Sequence, residues 1–125
     1  MALQLRLDKP WRPLTPDEAT RLPGQLGVYQ IADASGVILY IGQAGARSPF
    51  GLRSELQREA SERGAGKQFR VEVNMQYRTR WFELLMVHQA DHGSLPPDNA
   101  KNPPPLGRLS PSNSSPPSGG EEQEG

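Results

Sequence analysis

The pattern of apolar and polar residues predicts three β-strands in this chain of 125 residues. Two of them, residues 28–32 and 37–41, flank the sequence Asp-Ala-Ser-Gly at 33–36, which is rich in turn-forming residues. We therefore expect these two strands to form a hairpin. The third, residues 69–75, alternates strictly between apolar and polar positions, as a strand with one buried face does.

Helix signals precede and follow these strands. Thr15 has the side chain of an N-cap, Pro16 suits the first helical position, and Glu18 completes the capping pattern of a short helix. In residues 52–63 apolar positions recur every four residues, which predicts a second helix. Residues 80–92 form a third predicted helix, which ends at a glycine.

These elements predict the α/β class: a small sandwich in which a three-stranded, mostly antiparallel sheet is flanked by helices. We divide the chain into an N-terminal entry segment with the short helix (1–22), a domain (23–102) and a C-terminal tail (103–125). The tail is rich in Pro, Ser and Gly and poor in large apolar residues. Because such a composition cannot bury a core, the tail is predicted to be disordered.

The length of the turn decides which residues face each other across the predicted hairpin. If the loop has two residues, 34 and 35, Tyr29 lies directly opposite Tyr40 on one side of the sheet. If the loop has three residues, with a bulge at Gly36, the pairing moves by one residue. The sequence leaves both registers open.

Composition limits the classes of protein to which the chain can belong. The absence of cysteine excludes disulfides and thiolate metal sites, and no apolar run has the ~18 residues that a membrane span needs. We expect a cytoplasmic protein with no membrane partner. Because 14 basic and 14 acidic residues give zero net charge, any binding of DNA phosphates must depend on a local basic patch.

Two tripeptides stand in corresponding strands of the predicted hairpin. Gly27-Val28-Tyr29 lies in the first and Tyr40-Ile41-Gly42 in the second, and residues 30–39 separate the two tyrosines. In these motifs and their spacing, residues 27–102 resemble the GIY-YIG endonuclease family. The resemblance implies a GIY-YIG-like fold and a metal-dependent endonuclease that hydrolyses DNA phosphodiester bonds, with Gly27 and Gly42 as its structural glycines.

The resemblance also implies a set of catalytic residues. Tyr29 and Tyr40 would activate or orient the attacking water, Arg53 would bind phosphate, and Asn99 would serve as the family's late asparagine. Glu83 would hold one divalent cation, Mg²⁺ or Mn²⁺. Because an ordinary tyrosine has a pKa of about 10 and is a poor base at neutral pH, its role needs a nearby cation.

Glu83 is a candidate metal ligand on the grounds of its neighbours as well. Six of the seven residues 81–87 are apolar, and a carboxylate in such surroundings needs either a bound cation or an ion pair. The alternative to metal binding is therefore an ion pair with Arg53 or Arg80.

Two of the implied roles have alternative residues. Strict alignment with the family's first helix places Glu55 where the arginine is expected, so Arg47 and Arg58 are alternatives to Arg53. Asn102 is the alternative for the late asparagine.

DNA contacts are expected from Arg47, Arg58 and Lys67, but glutamates lie between them, and a solvated helix with salt bridges has the same pattern. His88 and His92 are four residues apart on the third predicted helix. The residues between them lack the glutamate of the zinc-protease motif, so we do not expect zinc there.

Two further functions compete with DNA cleavage. The first is a catalytically weak or inactive module of the same fold that binds nucleic acid or protein, which the neutral charge and the departure at the arginine position favour. The second is an interaction protein whose proline-rich tail, beginning with Pro103-Pro104-Pro105, binds a protein partner.

Overall fold

An antiparallel sheet of four strands, in the order β1-β4-β2-β3, is the centre of the fold in a computed structural model that describes residues 6–101. The strands are β1 (Arg12–Pro13), β2 (Gly27–Ala32), β3 (Ile38–Ala44) and β4 (Gln68–Val73). The helices are α1 (Pro16–Thr20), α2 (Gly51–Arg63), α3 (Tyr77–His92) and α4 (Pro97–Ala100). The α/β class is therefore confirmed for the described residues.

The expectation of a three-stranded sheet is wrong, because β1 adds a fourth strand at the edge beside β4. Its two residues pair Arg12 with Phe69 and Pro13 with Gln68. A strand of two residues is too short to show alternation, and proline is tolerated at an edge because its missing N–H faces no neighbour. The predicted disordered tail, 103–125, lies outside the described residues.

The hairpin between β2 and β3 is confirmed, but its register differs from direct pairing of the two tyrosines. Asp33 N–H donates to the carbonyl of Val37, and Gly36 has φ 95°, so the loop has three residues and a left-handed glycine. A second irregularity between Ile31 and Ala32 moves the pairing once more. Tyr29 therefore lies opposite Gly42, two residues from Tyr40 along the strand.

Two hydrophobic clusters cover the two faces of the sheet. One face of β2 carries Tyr29 and Ile31, which pack with residues of α1 and α2. The other face carries Val28, which packs with Leu84 and Leu85 of α3. The alternation of side chains along a strand therefore assigns α2 and α3 to opposite faces. The entry segment contributes core residues to both clusters: Leu7, Leu14, Ala19 and Leu22.

The helix predictions hold with small changes of boundary. Thr15 caps α1, because its Oγ1 accepts a hydrogen bond from the N–H of Glu18 at 3.1 Å. Helix α2 begins one residue before the predicted start and α3 begins at Tyr77, while α4 was not predicted. Among residues 6–101, no helix combines the length and the apolar character that crossing a membrane would require.

Gly27 and Gly42 are required by close contacts on either side of β2 and β3. A Cβ atom on Gly27 would lie 2.1 Å from the backbone oxygen of Glu72, and one on Gly42 would lie 2.3 Å from Cζ of Tyr29. A side chain at either position would therefore require its neighbours to move. The contact at Gly27 is the more restrictive, because a backbone carbonyl in a paired strand cannot move as a side chain can.

Gly27→Ala is expected to lower the free energy of unfolding by about 3 kcal/mol or more, because β2 and β4 would have to separate. Urea denaturation followed by circular dichroism measures this loss. Gly24→Ala is the matched control, since a Cβ at this position would meet the backbone oxygen of Phe50 at an ordinary contact distance of 3.4 Å. Equal stabilities of the two variants would contradict the close packing at Gly27.

Candidate functional site

Tyr29 and Tyr40 share one face of the sheet, with ring centroids 6.0 Å apart and planes tilted by 53°. A register change of two residues preserves the face, which is why the rings meet although they are not directly opposite. Tyr29 is 1% exposed, and its hydroxyl donates to Oε2 of Glu59 at 2.8 Å. The Tyr29 hydroxyl is therefore committed to a buried carboxylate.

The carboxylate of Glu59 lies at the centre of a buried network of ion pairs and hydrogen bonds, which was not predicted from the sequence. Its side chain is 4% exposed and accepts from Nε of Arg63 at 2.6 Å, while Arg58 lies 3.7 Å away. Arg63 also pairs with Asp98 at 2.6 Å and lies over the ring of Tyr40. These partners compensate a charge that would be costly to bury alone. The sequence did contain a signal for the burial of Glu59, because this residue follows Leu56 by three positions and so lies on the apolar side of α2.

The electrostatics of Tyr29 oppose the role of general base. Burial and the negative charge of Glu59 raise the pKa of the Tyr29 hydroxyl well above its ordinary value. The pKa of Tyr40 is raised as well: burial is the largest cause, and the negative charge of Glu59 is the second largest. A phenolate base would need the opposite shift.

Glu83 is paired with Arg80, which is the alternative that the sequence left open. Arg80 is 6% exposed and bonds both Glu83 and Glu72, the latter at 2.9 Å. The residues around Glu83 do not fit a divalent cation, because a guanidinium already faces its carboxylate. No group of three or more His, Asp or Glu side chains within residues 6–101 is arranged to hold a metal ion.

The structure also separates Glu83 from the two tyrosines. Glu83 lies beside Leu84 on α3, whose apolar side packs against the face of the sheet that carries Val28. Tyr29 belongs to the opposite face. The tyrosines and the expected metal ligand therefore do not meet in one site.

The arginine candidates of α2 are occupied by contacts within the chain. Nε of Arg53 donates to the carbonyl of Leu22 at 2.9 Å, which ties α2 to the end of α1. Arg58 bonds Glu55 at 2.6 Å and Glu62 at 3.2 Å. This is the solvated, salt-bridged helix face that was the alternative to DNA contact.

Asn99 is buried and serves the edge of the sheet. Its Oδ1 accepts from Ile41 N–H at 2.8 Å, and its Nδ2 donates to the carbonyl of the same residue at 3.0 Å. The side chain of Asn99 thus satisfies edge groups of β3 that a further strand would otherwise pair. Asn102, the alternative asparagine, lies outside the described residues.

A polar cleft of about 530 Å³ opens where the loop after β3 meets the start of α3. Arg47 and Arg78 line it, and neither has a salt bridge or side-chain hydrogen bond within the described chain. We call this feature the Arg47–Arg78 cleft; it is lined by Gln43, Gly45, Ala46, Arg47, Ser48, Glu55, Tyr77 and Arg78. Arg47 was among the expected DNA contacts, whereas Arg78 was missed because it precedes the predicted start of the helix.

Lys67, the third expected DNA contact, is not among the residues that line this cleft. It lies just before β4, where its carbonyl accepts from Leu14 N–H at 2.9 Å. Of the three expected contacts, only Arg47 therefore belongs to the cleft.

Tyr29→Phe is expected to lower the free energy of unfolding by about 1–3 kcal/mol at pH 8, because it leaves the buried Glu59 without one donor. The raised pKa means that the folded chain holds the Tyr29 proton more tightly than the unfolded chain. Stability that depends on this proton is present below about pH 10 and declines as the pH rises further.

Urea denaturation at pH 8 and at about pH 10.5 tests both statements, since the unfolded tyrosine ionises in that interval. The loss of stability between the two pH values should be smaller in Tyr29→Phe than in the parent chain. Tyr77→Phe is the control, because the hydroxyl of Tyr77 makes no hydrogen bond within residues 6–101. An unchanged pH dependence in Tyr29→Phe would refute the assigned environment.

Comparison with known proteins assigns the chain to a family. The family model that matches is described as Domain of unknown function (DUF7508), and the match covers residues 5–91. No curated protein and no solved structure gives a match. The expected membership of the GIY-YIG family is wrong, because the matching family model is a different one that carries no assigned function. Since the match covers more than half of the sequence, the chain belongs to the DUF7508 family.

Proposed function

We propose that the domain binds DNA through phosphate contacts in the Arg47–Arg78 cleft and does not cleave the bound strand. The observation that carries this proposal is the pairing of two uncompensated guanidinium groups in one cleft. Other described arginines are held by partners: Arg12 and Arg21 by Glu18, and Arg63 by Glu59. Two basic side chains that have no carboxylate partner in the described chain thus line one cleft.

The chemistry of the cleft suits a phosphodiester backbone. A guanidinium presents a planar fork of donors that matches two phosphate oxygens. Gln43 and Ser48 supply neutral polar groups to the same cleft. Glu55 also lines it, but its carboxylate oxygens accept from Ser48 and Arg58. The negative charge of Glu55 is therefore partly neutralised before a phosphate arrives.

The arrangement of the former catalytic candidates supports binding without cleavage. The hydroxyl of Tyr29 is buried against Glu59, and the carboxylate of Glu83 is bound by Arg80. A phosphodiesterase needs an activated water and stabilisation of charge at the same phosphorus. The endonuclease activity and its Mg²⁺ or Mn²⁺ ion stay predictions from the sequence, and the experiment below includes them.

Arg47→Ala and Arg78→Ala are each expected to weaken binding of a fluorescent DNA oligonucleotide by about tenfold or more, as loss of a hydrogen bond to a charged group does. Fluorescence anisotropy in EDTA measures the affinity, with single-stranded and duplex DNA compared. Each variant should also flatten the dependence of log affinity on log salt by about 0.7–0.9.

Arg21→Ala is the matched control, because it removes the same charge from a side chain that is 71% exposed and paired with Glu18. An equal loss of affinity in Arg21→Ala would attribute binding to overall charge and overturn the proposed cleft. The same samples are then incubated with Mg²⁺ or Mn²⁺. Strand cleavage that disappears in Glu83→Ala would overturn the proposal of binding without cleavage.

A further inference from the structure

We propose that His88 and His92 together bind one divalent transition-metal ion, and that this ion is Zn²⁺. The two residues lie one helical turn apart near the C-terminal end of α3, and their ring centroids are 4.4 Å apart. Two imidazoles that bind one tetrahedral zinc place their nitrogens about 3.4 Å apart, at Zn–N distances of about 2.1 Å. In the proposed site the ring of His92, which makes no hydrogen bond within residues 6–101, rotates until one of its nitrogens and Nε2 of His88 face the same ion.

The hydrogen bond of His88 selects the tautomer that a metal ligand requires. Its Nδ1 lies 2.9 Å from the carbonyl oxygen of Ser94. Because a carbonyl only accepts, Nδ1 carries the proton and the lone pair of Nε2 is available. Metal-binding histidines typically donate their second ring nitrogen to a carbonyl or carboxylate in this way, which fixes the ring and increases its basicity.

Three charged side chains line the cleft beside the two histidines: Arg6, Arg70 and Asp91. Asp91 lies on the same turn, and its carboxylate accepts two hydrogen bonds from Arg6 at 2.8 and 2.9 Å. The side chain of Arg6 is 61% exposed, so this ion pair contributes little to stability. A cleft of about 170 Å³ borders both histidines, which gives room for water molecules in the remaining coordination positions.

The ligand type distinguishes this site from a magnesium or calcium site. Imidazole nitrogen suits zinc, copper, nickel and iron, whereas magnesium and calcium prefer oxygen ligands. The proposal therefore does not depend on DNA binding at the Arg47–Arg78 cleft or on the expected Mg²⁺ ion. It also departs from the expectation from sequence, in which no zinc was expected because the glutamate of the zinc-protease motif is missing.

A purely structural role explains only one of the two histidines. The bond from His88 to Ser94 helps to satisfy carbonyls at the end of α3, as basic side chains near a helix C-terminus do. His92 contacts the His88 ring but makes no hydrogen bond within residues 6–101. A structural role of His88 thus predicts loss of stability in His88 variants and leaves His92 without a function.

The test uses the full, untagged chain, which contains only two histidines. Titration with Zn²⁺ at pH 7.5 is followed by calorimetry and by long-range ¹H–¹⁵N spectra of the two rings. We expect one ion per chain, simultaneous shifts of both rings and a melting temperature that rises with zinc concentration. Mg²⁺ at the same concentrations should produce none of these changes.

His92→Phe is the decisive variant, because it keeps a ring beside His88 but removes one ligand. Loss of an outer-shell partner alone weakens metal binding about 10- to 100-fold, so loss of this ligand should weaken it by more than tenfold. Its stability without metal should remain that of the parent chain. His88→Asn should lose both zinc binding and some stability. Zinc affinity that is unchanged in His92→Phe, or a ring of His92 that does not respond to zinc, would overturn the proposal.

Discussion

The buried carboxylate of Glu59 is the constraint on which one half of the structure depends. It accepts from Tyr29 on the central strand and from Arg63 on its own helix. Removing one partner of such a network leaves a buried charge or acceptor unsatisfied, which typically costs about 3–5 kcal/mol for a buried ion pair. The position of α2 against β2 is therefore specified by polar bonds as well as by apolar packing.

This network also engages the two tyrosines for which the sequence predicted a catalytic role. The phenol of Tyr29 serves as a donor to Glu59, and the ring of Tyr40 lies beneath the guanidinium of Arg63. On the opposite face, Arg80 occupies the carboxylate of Glu83. Each of these side chains is thus engaged in contacts within the fold. The buried polar groups therefore connect elements of the fold to one another.

The surfaces available to bind a ligand are those whose basic side chains have no partner within the described chain. The arginines of α2 donate hydrogen bonds to acceptors within the chain: Arg53 donates to a carbonyl, and Arg58 donates to a carboxylate. Arg47 lies in the loop before this helix and Arg78 at the start of the next, and neither makes a salt bridge or a side-chain hydrogen bond within the described chain. Near the other end of α3, His92 is similarly left without a hydrogen-bond partner in the described chain. Binding sites are therefore proposed at the two ends of one helix.

The sequence by itself determined the class of the fold, the hairpin, the third predicted strand and the capped start of α1. These features depend on local patterns: alternation, turn residues and the side chain of Thr15. Residues 12–13 and 97–100 were not recognised, because elements of two and four residues contain too few positions to show a period. The family resemblance depended on two tripeptides, whose glycines and tyrosines also suit a tightly packed hairpin.

Only the tertiary structure decided which charged groups meet. Glu59 and Tyr29 are 30 positions apart in the chain, and Asn99 and Ile41 are 58 apart. The ion pair of Glu83 with Arg80 is local to α3, whereas the second partner of Arg80, Glu72, belongs to β4 and meets it only because α3 packs against the sheet. Local sequence specifies the direction in which a strand or helix presents each side chain. The partner that side chain meets depends on the packing of distant elements, and this packing decides between a catalytic group and a structural one.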